Sequence, residues 1–230
     1  MTSSSTYAFN PAISNLVMSA YARIGIRRTE ITSQHMTDAD VESNLVQVGL
    51  GNLQPNLWRQ EVYPITLVQG TATYTLPDRF IAIRDVYMSV NSNGVTTDRL
   101  MWPLSAQDYD SQSNKTLQAV PTSYYCQKTI NPTITMWPVP DGTATYTLNV
   151  RILSQIQDTA IASGVTLDMP YRFLDVYVAG LAHRLARIYA RDLEAQRKQD
   201  YLDAWRDASS TDTEDGVSVA IMPTFSNYFR

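Results

Sequence analysis

The sequence predicts an α+β protein: a helical bundle built from both chain ends, an inserted antiparallel, sandwich-like β lobe, and an extended C-terminal arm. Three observations carry this reading. Apolar residues recur at helical spacing before residue 60 and again after 168. Between them the texture changes to short runs of Thr, Tyr, Val and Ile separated by Pro, Gly and Asn. A polar, acidic stretch, SSTDTEDG at 209–216, then gives way to the apolar segment VSVAIMPTFSNYFR. The expected divisions are 1–60 for the first bundle helices, 61–156 for the β lobe, 168–208 for the last bundle helices, and 209–230 for linker and arm.

Asn10 and Pro11 offer a cap and a first-turn proline to a helix carrying Ile13, Leu16, Val17, Ala20, Tyr21 and Ile24, with Gly25 as its stop. Thr37-Asp38 can cap a second helix with Val41, Leu45 and Val48 on one face, reaching Trp58. Gly49, Gly51 and Pro55 interrupt it. An interior proline costs about 3 kcal/mol through its missing donor and its steric clash, so a kink or break is expected there.

Candidate strands are 61–68, 72–76, 80–90, 122–130, 132–138 and 144–153. The segment GTATYTL occurs at 70–76 and again at 142–148, each time a turn glycine followed by an alternating strand with Tyr74 or Tyr146 on one face and threonines on the other. Two copies are too few for a solenoid, so the repeat marks two strands of similar geometry. Met101–Leu104 reads as extended, and Ser105–Ser113 as one short helix on the lobe. Asp168 and Pro170 open a helix over 170–190 with the stripe Phe173, Tyr177, Leu181, Leu185 and Ile188. Asp192 restarts a more polar helix to about Ala208, where Tyr201, Leu202 and Trp205 form an apolar patch among charges.

A formal net charge of −4 argues against the phosphate grip that dominates nucleic-acid affinity, while leaving room for DNA to pass nearby without sticking. No stretch approaches the ~18 apolar residues of a membrane span, and MTSSSTYAFN lacks the pattern of a signal peptide; the protein is expected to be soluble and unprocessed. The single cysteine, Cys126, excludes an intrachain disulfide and a cysteine-based zinc site, and reads as a buried, inert thiol.

Chemistry is hard to place on this chain. Its two histidines, His35 and His183, sit in no catalytic motif: His183 reads as a satisfied histidine in mid-helix, His35 as a solvated one in a connection. No nucleophile elbow, phosphate loop or zinc-protease helix is present. Glu30, Glu42, Glu61, Glu194 and Glu214 lie in polar surroundings, unlike a raised-pKa acid in an apolar pocket. No catalytic residue, cofactor or metal is therefore expected. A cell-wall glycoside hydrolase would need a cleft with two carboxylates. A receptor- or glycan-binding module would use exposed aromatics of the Tyr-rich sheet, where Trp102 and Trp137 stand beside prolines, although packing is the commoner use of such residues.

The run YPITLVQGTATYTLPDRF, then PLSAQDYDSQ, PTSYYCQK, PTITMWPVPDGTATYTLNVRIL and LDMPYRFLDVYVAGLAHRLA resembles the head-to-tail adaptors of short-tailed phages, also called A-type tail tubular proteins or head-completion ring proteins. The likeness covers roughly 60–206 and rests on structural residues. It implies a structural virion protein made in the host cytoplasm: a ring, usually of twelve copies, between portal and tail nozzle, with DNA passing through its channel without specific binding and no membrane partner. It also implies a C-terminal segment that engages the portal, for which Val217, Val219, Ile221, Met222, Phe225, Tyr228, Phe229 and Arg230 are the candidate docking residues.

Overall fold

The computed structural model describes residues 9–53, 57–92, 94–162 and 164–212. Its elements are α1 (Ile13–Arg23), α2 (Ser33–Leu53), β1 (Gln60–Thr66), β2 (Thr73–Thr75), β3 (Phe80–Ser92), β4 (Val95–Leu100), β5 (Trp102–Leu104), α3 (Ala106–Asp110), β6 (Ser123–Gln127), β7 (Thr133–Trp137), β8 (Thr145–Ser154), α4 (Leu174–Tyr189) and α5 (Glu194–Ser210). Two apolar cores result. One joins α1, α2, α4 and α5, which come from both ends of the sequence; the other lies between two sheets.

In the bundle, α4 is the central helix and packs against α1, α2 and α5. Four of its five expected stripe positions, Phe173, Tyr177, Leu181 and Leu185, are buried, and so are Leu174, Val176, Val178, Ala179 and Ala182. With neighbours on three sides the helix is apolar nearly all round, the composition of a core helix rather than of a surface one. Ile188, read as part of the stripe, is exposed; it lies in the last turn of α4, which ends at Tyr189. The small Gly180 lets α5 approach: a Cβ there would stand 3.0 Å from the Tyr201 ring and 3.2 Å from Val46.

Several helix starts differ from the sequence reading, each because a backbone, side-chain or ion-pair partner other than the expected cap sets the start. α1 begins at Ile13, after Asn10 and Pro11, where Ala12 pairs with Thr166 and the Ile13 N–H donates to the Val165 carbonyl at 2.8 Å. Its stop is as read: Gly25 follows with φ +86°. α2 begins at Ser33, four positions before Thr37, because the Thr32 hydroxyl accepts from the His35 N–H at 3.4 Å, while the Thr37 hydroxyl turns back to the Ser33 carbonyl inside the helix. Asp168 pairs with Arg59 and does not cap; a 3-10 turn, Tyr171–Phe173, leads into α4.

A kink or break was expected at Gly49, Gly51 and Pro55; α2 runs unbroken through the two glycines but ends at Leu53, short of Trp58, which lies in a separate 3-10 turn, Leu57–Arg59. The two glycines leave room for neighbours instead: the Arg184 guanidinium lies 3.7 Å from a Cβ on Gly49, and the Ile81 side chain 4.0 Å from one on Gly51. Pro55 lies outside the described residues. The buried face of α2 is Ala39, Ser43, Val46, Gln47 and Leu50, whereas Val41, Leu45 and Val48, the face read from the sequence, point away from the core.

The inserted lobe is a sandwich of two four-stranded sheets, ordered β1-β8-β3-β4 and β2-β7-β6-β5. Alternation explains the first: Leu148, Val150 and Ile152 of β8 and Val86 and Met88 of β3 face the second sheet, where Ile134, Met136 and Tyr124 meet them. The lobe is not wholly antiparallel. β5 pairs with β6 in parallel, because the chain crosses over through α3 and the loop after it before returning. β4 was absent from the reading; all six of its residues are exposed, so it carries no apolar alternation, and its local signal is Gly94, at φ +80°, with Ser92 paired to Val95.

The repeated GTATYTL segments lie in different sheets, one forming β2 and the other opening β8, yet they adopt matching turns. Gly70 and Gly142 both have φ +74°. Each tyrosine hydroxyl reaches back three residues, Tyr74 to the Thr71 carbonyl at 3.0 Å and Tyr146 to the Thr143 hydroxyl at 2.8 Å. The two turns abut, with the Gly70 N–H donating to the Pro140 carbonyl at 3.0 Å.

Candidate functional site

The candidate docking residues Val217, Val219, Ile221, Met222, Phe225, Tyr228, Phe229 and Arg230 lie outside the described residues, as does Glu214. What the structure supplies is the end of the described chain before them. After α5 the chain reaches Asp212, whose carboxylate is buried and accepts from Arg172 at 2.6 Å. Arg172 in turn lies over Phe173, 5.3 Å from the ring centroid. Phe173 is flanked by Trp58 and Trp205, each with ring centroids 6.1 Å away. Arg59, next to Trp58, pairs with Asp168 and donates to the Ser154 carbonyl of β8. One network of aromatic and paired charged groups thus connects the chain exit, the start of α4 and the seam between bundle and sheet lobe. Sequence reading missed Arg59, Arg172 and Asp212, since their partners lie 40 to 109 positions away and no local pattern marks them.

The remaining sequence-predicted residues turn out to be structural. His35 is half-buried in α2, not solvated: its Nδ1 accepts from the Thr32 N–H at 3.1 Å and its ring stacks on Tyr189 at 4.6 Å. His183 is buried between α4 and α5, stacked on Tyr201, but it is not satisfied. Its Nε2 makes no hydrogen bond, and the nearest carboxylate oxygen, on Glu194, is 4.0 Å away. Burial, followed by the charge of Arg187, lowers its pKa. Cys126 is half-buried with a thiol pushed up by burial, which disfavours the reactive thiolate.

The carboxylates are occupied. Glu30 accepts from the Arg27 N–H at 2.9 Å, Glu42 pairs with Arg184 at 3.3 Å, Glu194 with Arg187 at 3.0 Å, and Glu61 with Arg79 at 2.7 Å. The Arg79 hydrogen bond holds the Glu61 carboxyl below its ordinary range, the reverse of what a general acid needs. Among the described residues no group of three or more His, Cys, Asp or Glu side chains could hold a metal, and no helix is long and apolar enough to cross a membrane. A cavity of about 350 Å³ lies at the seam between the lobes, lined by Gln47, Val48, Phe80, Ile81 and Ile156 with one carboxylate, Asp158, rather than by a facing acid pair.

The outward faces of the bundle differ from one another. α5 presents Gln196, Lys198, Gln199, Asp203, Arg206 and Asp207, with Leu202 as its one large apolar residue exposed. α2 presents Val41, Leu45 and Val48, which are 57 %, 41 % and 61 % exposed, with no charged residue on the stripe. In the lobe Trp102 is 65 % exposed, while Trp137 is half-buried and donates its Nε1–H to the Asn114 carbonyl at 3.1 Å. No curated protein matches the chain. A family model described as SU10 adaptor protein matches residues 19–222, from within α1 through both lobes and past the exit at Asp212.

Proposed function

The chain belongs to the SU10 adaptor protein family, a family of phage head-to-tail adaptors and so of structural virion proteins at the head–tail junction, and on that premise we propose that it forms a ring joining the portal to the tail nozzle. The match along both lobes is the observation that carries the reading. In the ring, twelve copies being the number implied by the adaptor likeness, the bundle forms the wall and the polar outer face of α5 lines the channel through which DNA passes. The sheet lobes turn toward the tail components.

The arm after Asp212 engages the portal, with Ile221, Met222, Phe225 and Phe229 as its anchors and Arg230 setting register. Apolar and aromatic side chains at interface centres carry most of the binding energy. The buried Arg172–Asp212 pair supports this by fixing where the arm leaves the bundle. Matched symmetry then turns many weak arms into one strong attachment, because each docked arm raises the effective concentration of the next.

The test mixes the cognate portal ring with full-length protein and with a version ending at Asp215, and determines the mass of each complex. A stoichiometric ring complex with the full chain and none with the shortened one is the expected result. Failure of both to bind the portal rejects the reading, and glycan-binding assays on Trp102 variants then become the next step.

A further inference from the structure

β4 is the open edge of the sheet lobe. The two sheets have four edge strands, and three of them are blunted: β1 carries Pro64, β5 has three residues with Pro103 at its centre, and β2 has three residues. β4 runs for six residues without a proline, and among the described residues its ladder goes to β3 on one side alone. Val95 and Leu100 at its two ends, and Trp102 just beyond, are 63 %, 61 % and 65 % exposed. Every second residue of such a strand turns a backbone N–H and C=O outward, which makes the edge a template for an added strand.

The segment after Asp212 carries the pattern that fits. Val217, Ser218, Val219 and Ala220 alternate β-branched with small residues, as in a strand that covers one face. The family match reaches residue 222, so it takes in this run and stops before PTFSNYFR. Glu214 and Asp215 stand just ahead of the run, and Arg99 is the one basic residue of β4, so the charges are complementary.

Reach decides whose strand is added. Leu100, the end of β4 nearer the seam, pairs with Tyr87, and Tyr87 with Asn149, five residues along β8 from Ser154 at the seam. At about 3.3 Å per residue and about 4.8 Å per strand, Leu100 stands roughly 20 Å from Ser154. Asp212 lies on the bundle side of that seam, tied to Arg172 ahead of α4. Residues 213–216 bridge at most about 18 Å from Asp212 to Val217, which falls short of the β4 of the same chain.

We infer that residues 217–220 of one copy add as a strand to the open edge of β4 on the next copy, leaving Ile221 and the residues after it to reach the portal. The inference rests on the ring reading above and names its repeating contact. Donor segment and acceptor edge are different surfaces, so the contact runs head to tail and can close as a ring; a self-complementary patch would give a two-fold dimer instead. Each arm then holds two partners, and a copy docked on the portal presents its strand segment to its neighbour.

The test compares hydrogen exchange of the full chain free in solution and assembled on the cognate portal ring. Amides of residues 95–100 are expected to exchange about tenfold or more slowly in the ring, together with those of 217–220. Val217→Pro with Val219→Pro removes two donors from the added strand and changes only the segment after Asp212. It is expected to keep the wild-type melting temperature and the apolar portal anchors, and to lose the protection at 95–100. Independently, rings are assembled from an equal mixture of two full chains, Thr97→Cys and Ser218→Cys, both with Cys126→Ser, and treated with a short bismaleimide. With one cysteine per chain, any link joins two copies. Linked 97–218 pairs are expected from the mixture and none from either chain alone, and this readout decides by itself if the proline variant fails to attach.

If wild-type rings form while residues 95–100 exchange as in the free chain and no 97–218 link appears, this contact is wrong and the ring stands. Protection at 95–100 that survives in the proline variant overturns it as well, since something other than the arm then covers β4. Absence of rings with wild-type protein rejects the ring reading itself, and this contact with it.

Discussion

The two lobes are held together by different kinds of partner. The sheet lobe is contiguous in sequence, and its ladders join residues that all lie between Gln60 and Ser154. The bundle has no such continuity: α1 and α2 meet α4 and α5 only after the whole lobe has intervened. Its polar ties correspondingly span the insertion, with Ser43 bonded to Tyr177, Asn44 to Thr159 and Arg184 to Glu42. The sheet lobe therefore owes its structure to its own segment, while the bundle depends on the lobe to bring its two halves together. A lesion in the bundle core should be felt across both chain ends, and one at the edge of the lobe should stay where it is made.

The largest break in this comparison is expected from Tyr177→Ala. Tyr177 is fully buried in α4, its hydroxyl pushed up to about 12 by burial, and it meets Ser43, which also accepts from Thr159 at 3.1 Å. Truncation empties the space of a ring and leaves one buried hydroxyl, that of Ser43, short of a partner, costing about 3–5 kcal/mol. Hydrogen exchange should show protection lost in α1, α2, α4 and α5 together, with β3 and β8 keeping theirs. Equal loss in both lobes would mean that they form one cooperative unit.

Next comes Gly142→Ala in the sheet lobe. The residue sits at φ +74°, and a Cβ would lie 2.9 Å from the Gln69 side chain in the abutting turn. Left-handed backbone costs a residue with a Cβ about 1–2 kcal/mol, and displacing Gln69 adds to it. Gly94→Ala isolates the first part, since its φ is +80° with nothing within 4 Å. The difference between the two melting temperatures measures how tightly the paired turns are packed.

The sequence made the two lobes legible because their signals are local. The alternation of β8 and the apolar periodicity of α4 each lie within a dozen or so positions, and they placed both elements. The errors fell where distant partners decide. Thr37-Asp38 looked like a cap, but Thr32 holds the His35 N–H and the helix starts earlier. On α2 the row Val41, Leu45 and Val48 is as periodic as the buried row, and only the position of α4 selects between them. β4 has no buried face to betray it. At the candidate site, the network of Arg172 with Asp212 and Arg59 with Asp168 was invisible for the same reason, whereas the family likeness came from ordered runs of structural residues and needed no partner.

A smaller effect sharpens the comparison from the bundle side through pH. Burial, then Arg187, lowers the His183 pKa, with Lys198 and Arg184 acting the same way and Glu194 opposing them. Because the folded value lies below the unfolded one, near 6.5, the unfolded chain takes up the proton first. Stability present above about pH 6.5 is therefore lost as the pH falls through that value toward the folded pKa. Thermal melts at pH 7.5 and pH 5.5 should show a lower bundle transition at the acid end, and His183→Gln should flatten the difference. Glu61, lowered by Arg79, acts only below the ordinary glutamate range and leaves this window untouched.

The smallest effect is expected at the edge of the sheet lobe, from Ser105→Ala. The Ser105 hydroxyl caps α3 by accepting from the Asp108 N–H at 3.1 Å, and the Asp108 carboxylate in turn accepts from the Ser105 N–H at 3.3 Å. Loss of such a cap costs about 0.5–2 kcal/mol where the helix is part of the cooperative core. α3 is not: none of its residues is buried, and its main tether is Tyr109 stacked on Tyr125 of β6 at 5.4 Å. The helix can fray while the tyrosine pair persists, so faster hydrogen exchange should be confined to residues 106–112 and the melting temperature should fall by no more than about 2–4 °C, the shift that 1 kcal/mol produces in a protein of this size. A larger fall, or exchange spreading into β6 and β7, would show that this crossover helix holds the parallel β5–β6 pair in register, and that the lobe is as dependent on distant ties as the bundle.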